Sequence, residues 1–352
     1  MECFLINESG YTWSDLLNSE QRFQGATAVA ISDDDASRLI SEHFPNLQAT
    51  ELKYRSLARR PNYHQPLLNL QRDILSHYKC VTYVCDKRYL LLLMFADYAI
   101  EPFYYKRGLN FYKDGQNYAL ASLLHTVGPT LFGKEGFEAL LAAFQRAVKE
   151  KTHETLRELV LAAQGVNWRA MQEALGPLVC AAPECLSAIA TPGVTTDIAF
   201  MVLQSLISRM EVMADGPYSV EHDQSKNLLN YHELLLRFIN HEDEIEFKES
   251  QIASIKFPLK LTAVTQVDSK SSSAVQLADV MIGSAIEAAN ALTGLRKPEL
   301  DPEAVMALYA DDQLIHLLPS LDFEGQKKFR QGTQAAEVID YFAANFHGKN
   351  GQ

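Results

Sequence analysis

Carboxylates recur where chemistry is possible. Glu8, Asp86, Asp223 and Asp268 fall at the ends of predicted strands, and Asp279 falls on a predicted helix. Strand ends of an open α/β sheet converge on a crevice, so acids placed there meet in space. Carboxylates that meet repel unless they are protonated or bridged by hard cations, and Mg2+ or Mn2+ prefers such oxygen ligands. A pair of ions ~3.5–4 Å apart activates water and stabilises the leaving oxygen in phosphodiester cleavage. Composition alone also delivers acids to strand ends, as helix caps and solvated turns, because the chain has 44 acidic side chains in 352 residues. No GxGxxG, GxxxxGK[ST], HExxH or GxSxG occurs, which removes the usual nucleotide-binding, zincin and serine-hydrolase readings.

The elements that must position these acids follow from patterning. A short strand, Cys3–Ile6, runs into Asn7-Glu8-Ser9-Gly10, where Gly10 suits a turn. A second strand spans 26–32, and Ser32 caps a helix that opens on Asp33, Asp34 and Asp35 and ends before Pro45. Residues 49–54 read as a third short strand, Gln65–His77 as an amphipathic helix, and Cys80–Cys85 as a buried strand that delivers Asp86 and Lys87. From Tyr89 to Ala214 the period is helical, with five or six helices punctuated by Pro129, Pro177, Pro183 and Pro192.

Strand character returns at 217–223 and 260–270, with a helix over 228–240 and an acidic turn and strand edge over 241–249 between them. A helix over 271–292 has Ala and Gly at close-packing positions, and helices near 302–318 and 334–346 form a docked or peripheral tail. The order implies an α/β core, a mixed sheet with flanking helices, interrupted by a large all-helical insertion. Residues 1–88 and 216–295 make the two parts of the core, 89–215 the insertion and 296–352 the tail.

Charge constrains the partners. The net charge is -12, and residues 1–110 carry 13 acidic and 12 basic side chains, against 20 and 12 in residues 216–352. Such a surface disfavours tight nonspecific nucleic-acid binding but leaves room for a local basic patch. The densest basic run is Lys53, Arg55, Arg59 and Arg60, which reads either as a solvated face or as a phosphate-facing strip. The N-terminus has no basic stretch ahead of an apolar one, and the runs 89–100 and 197–207 are too short or too broken to span a bilayer. The five cysteines form no CxxC pair, which fits reduced thiols in a cytoplasm and no membrane span.

A set of segments in order sharpens the reading: FLINESG (4–10), ELKYRSL (51–57), TYVCDK (82–87), VEHDQS (220–225) and VDSKSSSAVQLADVMIG (267–283). Together they resemble the bacterial family called domain of unknown function 3800, grouped with ribonuclease H-like folds. The family pattern is DESG on the first strand, a later HD-x-S strand end, then DSK and QLAD. The resemblance covers the chain apart from the middle helices and the tail.

It implies a ribonuclease H-like fold and a nuclease or related phosphodiesterase dependent on Mg2+ or Mn2+. Asp223 and Asp279 would be ligands, with Asn7 or Glu8 completing the set and Glu8, Asp223 and Asp279 catalytic. Ser9 and Gly10 would shape the turn, Lys53 and Lys270 would meet substrate phosphates, and Gln276 shares the face of Asp279. The chain departs from the pattern at Asn7, where the family has Asp. An amide ligates through oxygen without charge, and Glu8, as a strand neighbour, faces the other way unless the strand end turns it inward.

The remaining residues weigh as follows. Asp279 sits in an Ala-rich helix, where a buried acid needs a partner. Asp268 reads as a helix-entry cap or supporting group, and Glu51 and Asp86 read as structural, paired with Lys53 and Lys87. His222 faces away from Asp223 on a regular strand and reads as a core or edge histidine. The run 102–118 interleaves Tyr and Phe with Lys and Arg, a spacing that stacks bases or packs an insertion surface. Asn7 also motivates a second reading, a catalytically impaired binding or assembly protein that joins a protein partner or a second copy of itself. Hydrolysis of a small phosphorylated molecule is not separable from nuclease activity by sequence.

Overall fold

Residues 1–49, 51–224 and 231–346 are described by a computed structural model of the chain. Six strands form one mixed sheet: β1 (Glu2–Ser9), β2 (Phe23–Ala30), β3 (Lys79–Asp86), β4 (Tyr218–Asp223), β7 (Leu261–Val267) and β8 (Leu314–Leu317), in the order β7-β4-β1-β2-β3-β8. A separate hairpin pairs β5 (Ile245–Lys248) with β6 (Ser254–Phe257). β2 is antiparallel to both β1 and β3, whereas β1–β4, β4–β7 and β3–β8 are parallel. All the strands of the large sheet except β2 therefore run one way. Their C-terminal ends, bearing Asn7, Asp86 and Asp223, lie along one edge.

Side-chain alternation divides that sheet into two faces. Phe4, Ile6, Ala26, Val81, Tyr218 and Val220 share a core with the helical middle of the chain. The insertion is thus the helical layer over one face, from the Lys87–Phe95 helix to the Ala199–Met213 helix. It holds more helices than the proline punctuation suggests, and Pro129 and Pro177 lie inside helices rather than between them, so most of the breaks are not at prolines. Leu5, Val29 and Cys80 point the other way, into a second core with the helices Asp33–His43, Tyr54–Ala58, His64–His77 and Ser273–Leu292. The chain is a mixed α/β protein with flanking helices on both faces.

Two expected elements differ. Residues 51–53 form no strand: the Leu52 and Tyr54 amides donate to side chains of the Ser273–Leu292 helix instead of a sheet neighbour. Tyr54, Leu57 and Ala58 then bury at helical spacing in the Tyr54–Ala58 helix. Position 50 of the expected strand lies outside the described residues. The tail is not all helical either. Its Pro302–Met306 helix is short, and Leu314–Leu317 adds to the edge of β3 as β8, a short apolar run of the kind periodicity alone assigns poorly.

The helix expected over 228–240 is observed as His232–Ile239, and its first residues lie outside the described ones, as does Ser225 of the VEHDQS segment. No single helix among the described residues is long and apolar enough to cross a membrane.

Caps and turns follow the local chemistry. The Ser32 hydroxyl accepts from the Asp35 amide, and that of Ser272 accepts from the Val275 amide. Asp33 reaches across to accept from the Ser272 hydroxyl and the Ala274 amide, tying two helix starts together. Gly10 leaves β1 at φ +81°, and a Cβ there would lie 2.0 Å from the Phe23 carbonyl oxygen, so the turn demands glycine.

Candidate functional site

Four separate stretches meet on the second face, at the C-terminal ends of β1 and β4. β1 brings Asn7, 5% exposed, whose amide nitrogen lies 3.5 Å from the Val275 carbonyl oxygen. β4 ends on Asp223, whose Oδ1 accepts from the Gln224 amide at 2.9 Å and the Ser269 amide at 3.2 Å. The second turn of the Ser273–Leu292 helix brings Asp279, whose Oδ2 accepts from the Tyr54 amide at 3.0 Å. The loop before the Tyr54–Ala58 helix brings Glu51 and Lys53. The Lys53 ammonium lies 2.9 Å from Glu51 Oε1 and 3.9 Å from Asp279 Oδ1.

Gln276 locks these loops together. Its oxygen accepts from the Leu52 amide and its nitrogen donates to the Ser269 carbonyl, both at 2.7 Å. The Ser269 hydroxyl donates to Glu51 Oε1 at 2.8 Å. Gln276 thus braces the site, and both ends of its amide are engaged. Lys270 is exposed, with its charge near enough to stabilise the Glu51 carboxylate.

The electrostatics are those of a shared charge cluster. Burial pushes the Asp279 carboxyl up, with Glu51 and Asp223 adding to the rise and the Tyr54 amide and Lys53 opposing it. Burial acts on Glu51 in the same sense, but hydrogen bonds from Lys53 and Ser269 prevail and hold it below its ordinary value. Burial works against the Lys53 ammonium, yet Glu51, Asp279 and Asp223 together raise it.

The other expected residues are placed differently. Alternation puts Glu8 on the first face, where its charge acts on His222 and Tyr11 and it lines a narrow slot with Ile6, Leu203, Leu206 and, from the end of β4, Asp223. That slot holds no more than about one water (≈ 10 Å³). Ser9 ends β1 on the Asn7 side. Asp268 accepts from the Lys270 amide within a tight turn, while Ser272 is the cap of the next helix. His222 is buried on the first face, with its Nδ1–H donating to the Asp223 carbonyl, and burial lowers its pKa.

Asp86 does not pair with Lys87. It takes a bidentate pair from Arg22 at 2.5 and 2.7 Å and caps the Lys87–Phe95 helix through the Tyr89 amide. Lys87 is fully buried, and its ammonium donates to the Gly10 carbonyl at 2.8 Å and the Thr12 hydroxyl at 2.7 Å. It therefore pins the turn that follows Asn7-Glu8-Ser9, and its burial lowers its pKa to about 8.

Glu51 is the member of the cluster read from sequence as structural, and Ser269 is one that no sequence signal singled out. The pairing of Glu51 with Lys53 was legible, but a Glu-x-Lys pair reads equally well as a surface pair. Only the long-range bond to Ser269 places it in the crevice.

The donor chemistry suits a hard divalent cation: Asn7, Glu51, Asp223 and Asp279 offer oxygen ligands alone. Three carboxylates against one close lysine also leave negative charge that a cation would neutralise. The arrangement is not a preformed site for one ion or for two. Among the described residues no group of three or more His, Cys, Asp or Glu converges to hold a metal, and Lys53 already bridges toward two of the acids. No protein-family model, curated protein or solved structure matches the chain.

Proposed function

We propose that the chain is a ribonuclease H-like phosphodiester hydrolase that acts on nucleic acid with Mg2+ or Mn2+. Glu51, Asp223 and Asp279 form its acidic centre and Lys53 its phosphate contact. The observation that carries this reading is the meeting of those three acids and the lysine, from separated stretches, at one edge of a mixed sheet. The segments resembling the domain of unknown function 3800 family supply every member of the cluster, which supports the same reading.

The electrostatics argue for a cation. A phosphodiester is an anion, and three carboxylates repel it unless positive charge is added. A divalent ion bound by Asp223, Asp279 and Asn7 or Glu51 would polarise a phosphoryl oxygen and lower the pKa of a bound water. The chain's own residues have separable tasks. The Tyr54 and Ser269 amides hold the Asp279 and Asp223 carboxylates in orientation, Gln276 fixes the two loops, and Lys53 offers an ammonium to a phosphate oxygen. A cytoplasmic setting with reduced cysteines belongs to this reading.

A second reading rests on Asn7 and on the Lys53–Glu51 pair. An amide replaces one anion and an ammonium occupies part of the crevice. Both favour a protein that keeps the fold and binds nucleic acid, a protein partner or a second copy without cutting.

The test is cleavage of single-stranded and duplex DNA and RNA by the full chain with Mg2+ or Mn2+, with chelator, and after Asp279→Asn. Cleavage lost under both perturbations is expected. Cleavage that survives both overturns the mechanism, and binding without any cleavage favours the second reading.

A further inference from the structure

We propose that the Tyr54–Ala58 helix and its C-terminal flank form a track for the phosphodiester backbone of nucleic acid. In it, Arg55, Arg59 and Arg60 neutralise successive phosphates beside the Lys53–Asp279 cluster. The proposal rests on the reading above and names its substrate class: a polymer backbone, not a small phosphorylated molecule.

Three observations carry it. First, all three arginines are exposed, and among the described residues none of them makes an ion pair. Other exposed arginines, Arg72, Arg157, Arg169 and Arg237, are also without an ion pair among the described residues. What sets this segment apart is that its three unpaired cations fall within six residues, directly after Lys53.

Second, the segment is fixed relative to the site. Lys53 is the residue before the helix, the Tyr54 amide binds Asp279, and Tyr54, Leu57 and Ala58 are buried. Gly283 lets the helix approach closely, since a Cβ there would lie 2.7 Å from the Tyr54 Cβ. The arginine side chains therefore radiate from a backbone that cannot drift from the acidic cluster.

Third, the spacing matches a polyanion. Arg55 and Arg59 are one helical turn apart, about 6 Å along the axis. One strand of a duplex carries a charge every ~3.4 Å of axis, so two arginines a turn apart address alternate phosphates. The Arg60 guanidinium lies 5.7 Å from the Tyr63 ring centroid, which extends the strip with an aromatic face.

Association is read by fluorescence anisotropy with labelled single-stranded and duplex oligonucleotides, in chelator so that nothing is cut, from about 50 to about 200 mM salt. The full chain is compared with the triple variant Arg55→Ala/Arg59→Ala/Arg60→Ala, the corresponding triple lysine variant, and Arg146→Ala as a charge control. The alanine triple variant is expected to reduce the slope of log affinity against log salt by about 2–3. The lysine triple variant and Arg146→Ala are expected to keep it.

An unchanged slope in the alanine triple variant, or an equal loss in Arg146→Ala, overturns the track. Cleavage is followed in parallel in the unmodified chain. Arginine-dependent binding without metal-dependent cleavage upholds the track and defeats the catalytic reading. Cleavage with an unaltered slope defeats the track alone.

Discussion

Lys87→Met tests the pinning of the turn after β1, and its effect can be worked out from the site. Lys87 has no exposure, and its ammonium meets the Gly10 carbonyl and the Thr12 hydroxyl. Burial draws its pKa from 10.5 to about 8, against the opposing charges of Asp15 and Asp86. At ~1.4 kcal/mol per pH unit, the ammonium form is disfavoured in the folded chain by about 3 kcal/mol. The folded pKa is the depressed one, so between pH ~8 and ~10.5 the unfolded chain binds more protons and stability rises with pH. The penalty is full below that window and gone above it.

Buried Cys80 and Cys85, whose thiols burial pushes up, that of Cys80 to about 12, act in the opposite sense over an overlapping range. The quantity to measure is therefore the difference between the unmodified chain and Lys87→Met, from urea unfolding at several pH values. That difference should move in favour of the unmodified chain by about 1.5 kcal/mol between pH ~8 and ~9.5. A flat or falling difference would refute the buried-ammonium argument.

Two further outcomes follow from the site. Asn7→Asp adds a carboxylate beside a cluster in which Asp279 already feels Glu51 and Asp223. It should lower the thermal midpoint without metal and enlarge the rise on adding Mg2+; equal Mg2+ responses in the two proteins would count against a cation site there. Gly283→Ala places a Cβ 2.7–2.8 Å from Tyr54 side-chain atoms and should cost roughly 1–3 kcal/mol by urea unfolding, whereas a neutral result would mean that the Tyr54–Ala58 helix is not held in close contact.

The legibility of the molecule followed the range of its interactions. The strands β1, β2, β3, β4 and β7 were visible because β-branched and aromatic runs end at turn residues, and Ser32 and Asp33–Asp35 marked a helix start that the structure shows capped. The expected strand over 49–54 misled because the Leu52 and Tyr54 amides bond to Gln276 and Asp279, more than 200 residues away. No local pattern encodes that. The β8 strand misled for a related reason: its partner is the exposed edge of β3, a demand set by the sheet rather than by the segment.

At the site, Asp223 and Asp279 were singled out by strand-end and buried-helix arguments, and the structure places both in one electrostatic cluster. Glu8 was held open by its adjacency to Asn7; alternation turns it to the first face, where Asp223 at the end of β4 still lines the same slot. Glu51 was judged by its neighbour Lys53, whereas its place is decided by Ser269.

Charge arithmetic then narrows the proposed chemistry. Two divalent ions would bring four positive charges to a crevice edge with three carboxylates linked through Lys53 and Ser269, where Lys53 already supplies one. An aspartate at position 7 would have moved that balance toward two ions, and the asparagine moves it away. Glu51, Asp223 and Asp279 less Lys53 leave two negative charges, which one divalent ion matches. Lys53 has 38% of its side chain exposed, so it can turn from Glu51 toward an incoming phosphate when such an ion takes its place among the acids. On the proposed reading, the departure at Asn7 and the lysine in the crevice act together. They point to a single-ion site whose second positive charge is an ammonium, aligned with a strip of arginines that delivers the backbone to it.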